Sequence, residues 1–123
     1  MSKELSMSDK MRIIQELVPG KQITLAHIIA NPDPILYEKL GLDPRGNRYR
    51  SAIGVLTVSP CETAVIAADI AMKSSGGTVE FVDRFTGTLI VTGSVSEVES
   101  AISSVCEYTE KTLGYAVCPL TRT

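Results

Sequence analysis

Few side chains in this sequence are equipped for chemistry, and their surroundings decide what each can do. His27 is the single histidine, and Cys61 opens an apolar run with helical spacing. A helix N-terminus favours the thiolate, so Cys61 with His27 as base is the one nucleophile and base combination on offer. That enzyme reading requires rapid, selective alkylation of Cys61 at neutral pH. Against it, His27 stands beside Ile28 and Ile29 in a β-rich run, the setting of a structural histidine, and Cys61 reads equally well as a small neighbour of a helix cap. Asp69 interrupts the same apolar run, where a lone carboxylate normally faces a lysine or backbone donors. Arg45, Arg48 and Arg50 in "DPRGNRYR" would suit an anion, but arginines among turn formers are ordinarily solvated. The three cysteines, Cys61, Cys106 and Cys118, are odd in number and have no C-x-x-C spacing, which argues against a disulfide framework and a zinc site. "SSGG" follows a helix instead of opening one, so no phosphate-binding loop is indicated. The residues therefore assign no catalytic group, no cofactor and no metal.

The elements that would carry these groups are clearer. "RIIQELV" within Met11–Val18 ends at Pro19-Gly20 and reads as a strand, although Ile13, Ile14, Leu17 and Val18 also fit one face of a helix. "KQITLAHIIA" alternates and is β-branched, hence a strand. In "NPDPILYEKLG", Asn31 is expected to cap a short helix with Pro32 in its first turn and Gly41 as its left-handed stop. The arginine loop 43–50 leads to the strand "AIGVLTV", whose Gly54 admits close approach by another backbone. Ser59, Pro60 and Glu62 match a capping box, and Ala64, Ala67, Ala68 and Ala71 form a methyl stripe on the helix that follows. Val65, Ile66, Ile70 and Met72 widen its apolar surface, which predicts burial on more than one side.

"TVEFVDRFTGTLIVTG" predicts a hairpin. Ser94 and Glu97 repeat the capping logic before a second long helix with Val98, Ala101, Ile102, Val105 and Thr109 facing inward, and Gly114 stops it. "YAVCPLTRT" is a final extended piece at a sheet edge, because Pro119 cannot donate to a ladder. The order predicts an α+β domain, a mainly antiparallel sheet with helices on one side.

With 123 residues the chain is one domain, a disordered arm at 1–10 followed by a single unit at 11–123. A net charge of -2 gives no electrostatic footprint for nucleic acid or an anionic membrane. No apolar run approaches the ~18 residues of a membrane span, and the polar start lacks a signal-peptide layout, so the cytoplasm is expected. Aromatics are 5% and tryptophan is absent, so small and branched side chains must build the core.

Three stretches taken together, "VPGKQITLAHIIANP", "AIGVLTVSPCETAVIAADIAMKSSG" and "VEFVDRFTGTLIVTGSVSEVESAI", resemble bacterial microcompartment shell proteins. The strand and short helix that close the usual family member come first here. This order is similar to that of the circularly permuted, PduU/EutS-like branch found in ethanolamine, propanediol and choline utilisation compartments. The resemblance implies a ferredoxin-like-related BMC domain in a flat homohexamer, non-enzymatic, tiling with other shell proteins around encapsulated enzymes or their targeting peptides. It implies an edge role for Lys73. Asn31 and Pro32 occupy the other edge position, where typical members carry an arginine between prolines. Residues 11–18 would form an extra N-terminal strand, six copies closing a small β-barrel over the pore, with Arg12, Ile14 and Glu16 on one side and Ile13, Gln15 and Leu17 on the other. Asp83, Arg84, Phe85, Thr86 and Gly87 match the hairpin near that pore. The same alternation of strands and helices would also build a small-ligand-binding regulatory domain of ferredoxin-like fold, the rival reading.

Overall fold

The computed structural model describes residues 21–42, 52–74 and 76–123. The expected arm, the barrel strand at 11–18 and the arginine loop 43–50 lie outside the described residues. In chain order the elements are β1 (Gln22–Ile29), α1 (Pro34–Lys39), β2 (Ala52–Ser59), α2 (Thr63–Lys73), β3 (Thr78–Asp83), β4 (Thr88–Gly93), α3 (Val95–Lys111), β5 (Ala116–Val117) and β6 (Thr121–Arg122).

The sheet runs β3-β4-β2-β1-β5, with β6 also on β1. Its four long strands pair antiparallel, and the two short C-terminal strands pair parallel with β1. The α+β expectation therefore holds, and the terminal piece is hydrogen-bonded into the sheet edge. Pro119 falls between β5 and β6, where no ladder bond is required of it.

One core forms where α2 and α3 cover the sheet. It joins Ile23, Ala26 and Ile28 of β1, Leu56 and Val58 of β2, and Leu89 and Val91 of β4 to the four alanines of α2 and to Val98, Ala101, Ile102 and Val105 of α3. Residues two apart along each strand point the same way, so the alternation of β-branched side chains delivers a single apolar face. Each fully buried Ile, Leu or Val contributes about 1.5–3 kcal/mol. Gly54 sets how closely α3 approaches: a Cβ there would stand 2.6 Å from Val98 Cγ1 and 3.0 Å from Ile102 Cγ1. The close approach comes from side chains of a helix, not from another backbone.

The helix starts show which local signals survive tertiary structure. Ser94 caps α3 as expected: its hydroxyl accepts the Glu97 N–H, and the Glu97 carboxylate accepts the Ser94 N–H. The Ser59 capping box does not form. Ser59 is the last residue of β2 and pairs with Gln22, so the sheet takes it, and α2 starts at Glu62 with no side-chain cap. Asn31 does not cap α1 either. Asp33 does, its Oδ1 accepting the Ile35 N–H at 2.9 Å, with Pro34 in the first turn. Gly41, at φ +74°, follows the end of α1 as predicted.

Candidate functional site

The registers sort the singled-out residues into two ends of the sheet. β1 begins opposite the end of β2, with Gln22 across from Ser59, while Thr57 pairs Thr88 and Asp83 pairs Thr88. The point where residues 1–20 join β1 and the β3–β4 turn therefore share one end. At the other end Ile29 pairs Ile53 and Ala52 pairs Gly93, so Asn31 and Pro32, just past β1, lie there. α2 starts after β2 at the first end and returns to the start of β3 at the second, which carries Lys73 about 16 Å from the first turn of α2. Lys73, Asn31 and Pro32 thus fall at one end, and Asp83 to Gly87 at the other.

The turn is tightly determined. Asp83 Oδ1 accepts the Phe85 N–H at 2.8 Å, Asp83 Oδ2 accepts the Thr86 hydroxyl at 2.9 Å, and the Gly87 N–H donates to the Asp83 carbonyl. These donors hold the Asp83 carboxyl below its ordinary range. Gly87, at φ +76°, presses against the Val58 carbonyl and Cys61, leaving no room for a side chain, and its own carbonyl accepts the Val58 N–H. The turn is thereby fixed to the β2–α2 junction and pushes Arg84 and Phe85 outward. The Arg84 guanidinium lies 5.1 Å from the Phe85 ring centre, and Phe85 is 77% exposed. Val65, Val82, Asp83, Arg84 and Phe85 surround a notch of about 330 Å³.

At the opposite end Lys73 Nζ lies 2.9 Å from Asp69 Oδ2, one helical turn back, with both side chains exposed. Asp69 holds the Lys73 ammonium above its ordinary pKa. Asp69 is therefore a surface partner for a lysine, as a lone carboxylate in that run normally is.

Between the two ends runs an uncovered apolar face. Val65, Ile66 and Met72 on the outer side of α2 are 53%, 45% and 67% exposed, and Val82 and Phe85 continue the strip along β3 and its turn. The expectation that α2 is buried on more than one side fails within this chain. Only the alanine side is covered, and β3 is the open edge of the sheet.

The residues with reactive potential are not brought together. His27 Nδ1 meets Thr121 Oγ1 at 2.6 Å, and Nε2 meets Thr123 Oγ1 at 3.0 Å, so the ring pins the C-terminal strand to β1. Sequence reasoning missed this role, because the partners lie 94 and 96 residues away. Cys61 Sγ faces Glu62 at 3.6 Å. All three cysteines are free, and burial pushes the Cys106 thiol up to about 11, with Cys118 adding to the effect. Among the described residues no three metal-ligating side chains cluster, and no helix is long and apolar enough to cross a membrane.

A sheet flanked by two helices, with its reactive groups tied up in packing and an apolar flank left open, has the character of an assembly unit. The BMC domain family matches residues 52–121 of the chain, from the start of β2 into β6. The chain belongs to the bacterial microcompartment shell proteins. CutR of Streptococcus intermedius is 49% identical over 122 residues, 99% of each chain. PduU of Salmonella typhimurium, also a shell protein, is 49% identical over 112 residues, 91% of this chain and 93% of its own. A solved CutR flat hexamer superposes with a TM-score of 0.79 at 48% identity, covering 91% of this chain and 99% of that one. This shell protein is of the circularly permuted kind. The family match begins at β2, yet β1 from the preceding segment sits inside the sheet between β2 and β5.

Proposed function

We propose that this shell protein forms a homohexameric ring whose axis lies at the Asp83–Gly87 end of each subunit and whose rim lies at the Lys73, Asn31 and Pro32 end. The observation that carries the reading is the placement of these two groups at opposite ends of one rigid sheet, as a disc with distinct centre and perimeter requires. The open flank of α2 and β3 supplies the contact with the next subunit. A patch that meets a different patch on its neighbour closes into a ring when the rotation closes. Rings then tile by their rims with other shell proteins in the bacterial cytoplasm, enclosing enzymes of an ethanolamine, propanediol or choline utilisation compartment. Encapsulated enzymes or their targeting peptides are the further partners.

Residues 11–18, with Arg12, Ile13, Ile14, Gln15, Glu16 and Leu17, form the parallel β-barrel that caps the axis in this proposal. Support comes from where they join the described chain: Lys21 stands at the hairpin end, its N–H on the Ser59 carbonyl. The role is structural, with closure and permeability in place of catalysis, and the regulatory-domain reading has no enclosed ligand site on the described residues to favour it.

Light scattering of the full chain, with electron microscopy of the same sample, tests this. The expected particle is a ring of six times the 13.2 kDa chain. Lys73→Ala keeps the ring and loses ring-to-ring sheets. A chain that stays monomeric or dimeric at every concentration overturns the ring.

A further inference from the structure

The proposed ring needs a second surface on every subunit. If the open flank of α2 met the same flank of a neighbour, the contact would be two-fold and would stop at a pair. A ring closes only when that flank meets a different patch. The back of the sheet carries one.

α2 and α3 cover the sheet face that holds Leu56, Val58, Leu89 and Val91. Side chains alternate along a strand, so His27, Val55 and Ile90 point to the other face. The registers set His27 across from Val55, Val55 across from Ile90, and Ile90 across from Phe81. This is one row over four strands, about 14 Å long at the usual strand spacing. Leu25, two positions from His27 on the same face, widens it. Leu25 is 42% and Phe81 46% exposed, while Val55 and Ile90 are half-buried. The row holds no carboxylate, lysine or arginine. At the end that carries Lys73 the same face is closed, because Ile53 and Thr92 are wholly buried.

The bare row and the open strip of α2 thus lie on opposite sides of one two-layer domain, as the two contact surfaces of a wedge in a ring must. Val65 to Met72 spans about 10 Å along the helix axis, a length comparable to the row. A helix laid on a sheet face is also the packing this chain uses for its own core, where alanines bring α2 close.

We propose that the bare sheet face, His27, Val55, Ile90 and Phe81 with Leu25 beside them, receives the Val65, Ile66 and Met72 strip of a second copy of this chain. The inference rests on the ring reading above and names the surface that the flank of α2 meets. Around the ring, the helix layer of each subunit stacks on the sheet of the next. Leu25 and Phe81 are then contact residues, which gives a reason for large apolar side chains on a face that their own chain leaves open.

His27 is the only histidine in the chain, so acylation by diethyl pyrocarbonate, timed by mass spectrometry on the purified full chain, reads this face at one residue. In the wild-type ring His27 reacts several-fold more slowly than in the Val65→Ser, Ile66→Ser double variant, in which the flank of α2 is broken. Its hydroxyl partners Thr121 and Thr123 belong to the same chain and act alike in both samples. Leu25→Ser combined with Phe81→Ser changes two exposed positions, so the circular dichroism spectrum stays that of wild type while light scattering reports loss of the ring. Each double variant keeps the patch that the other lacks, and mixing the two gives one-to-one pairs in native mass spectrometry. A wild-type ring in which His27 reacts as fast as in the α2 variant overturns the sheet face as the receiving surface and leaves the ring standing. So does a ring that survives either double variant. Self-pairs of one variant in place of mixed pairs overturn the contact between unlike patches, and wild-type protein that forms no ring overturns both readings.

Discussion

α2 and α3 lie side by side on the same sheet face, yet only one of them is finished by its own chain. α3 has the ordinary division of an amphipathic helix: Val98, Ala101, Ile102, Val105 and Thr109 are buried, and Ser96, Glu99, Ser103, Glu107 and Glu110 face outward. α2 buries Ala64, Ala67, Ala68 and Ala71, but its outward side carries Val65, Ile66 and Met72. A helix that is apolar all round belongs in an interior. α3 is therefore complete as a domain helix, whereas α2 is a domain helix on one side and, in the proposed ring, a subunit contact on the other. Small residues inside and large ones outside is the order expected when the second interior is supplied by a neighbouring copy.

The comparison is broken most severely from the α3 side. Gly54→Val would drive branched carbon atoms into Val98 and Ile102, and neither side chain has space to withdraw from a position that is itself wholly buried. Overpacking of this kind reaches about 3 kcal/mol, so the expected outcome in urea denaturation is a midpoint well below that of wild type. A midpoint near that of wild type would mean that α3 does not seat on β2 at Gly54.

A matched pair of substitutions sharpens the contrast. Ile102→Ala on α3 removes a wholly buried side chain and should cost about 2–5 kcal/mol of chain stability. Val65→Ser combined with Ile66→Ser on α2 removes two exposed side chains, so the isolated chain should stay within about 0.5 kcal/mol of wild type for each change. Light scattering should nevertheless report that the α2 double variant has lost the ring, because the polar groups are placed in the subunit contact. If the ring survives in the α2 variant, the open flank is not the contact.

How much of this was legible follows from the range of the interactions. The inner stripe of α3 and its Ser94–Glu97 box are i, i+3 and i+4 relations, complete within one segment, and the structure reproduces them residue by residue. The methyl stripe of α2 was equally local. What failed were signals that a longer-range partner could claim. Ser59 and Glu62 have the spacing of a capping box, but the β1–β2 ladder holds Ser59 in extended backbone, and the cap expected at Asn31 falls instead to Asp33, directly before the first helical residue Pro34. His27 gave no hint of its threonine partners, since nothing local to it records the return of the chain's last strand. The sorting of Lys73 and the hairpin into opposite ends was implicit in the order of elements, but it needed the strand registers to become a distance. The outer face of α2 was read as buried because its composition says so. In the described chain that face is exposed, and only in the proposed ring would a neighbouring copy cover it.

The smallest effect separates the two helices at their first residues. α3 begins with a reciprocal box, the Ser94 hydroxyl accepting the Glu97 N–H at 3.1 Å and the Glu97 carboxylate accepting the Ser94 N–H at 2.9 Å. Ser94→Ala leaves the Glu97 N–H without that acceptor and should cost about 1 kcal/mol in thermal or urea unfolding. α2 begins at Glu62, in helical backbone and with no side-chain hydrogen bond to its first turn, so Glu62→Ala removes no cap. Its effect should stay within about 0.5 kcal/mol, as for an ordinary exposed position. What holds the start of α2 is tertiary: the buried Thr63 hydroxyl meets the Tyr115 hydroxyl at 2.8 Å, and Gly87 closes against Cys61. Equal losses from the two alanine substitutions would show that α2 carries a local start signal after all. Unequal losses would place its beginning, like its outer face, under the control of neighbours in space.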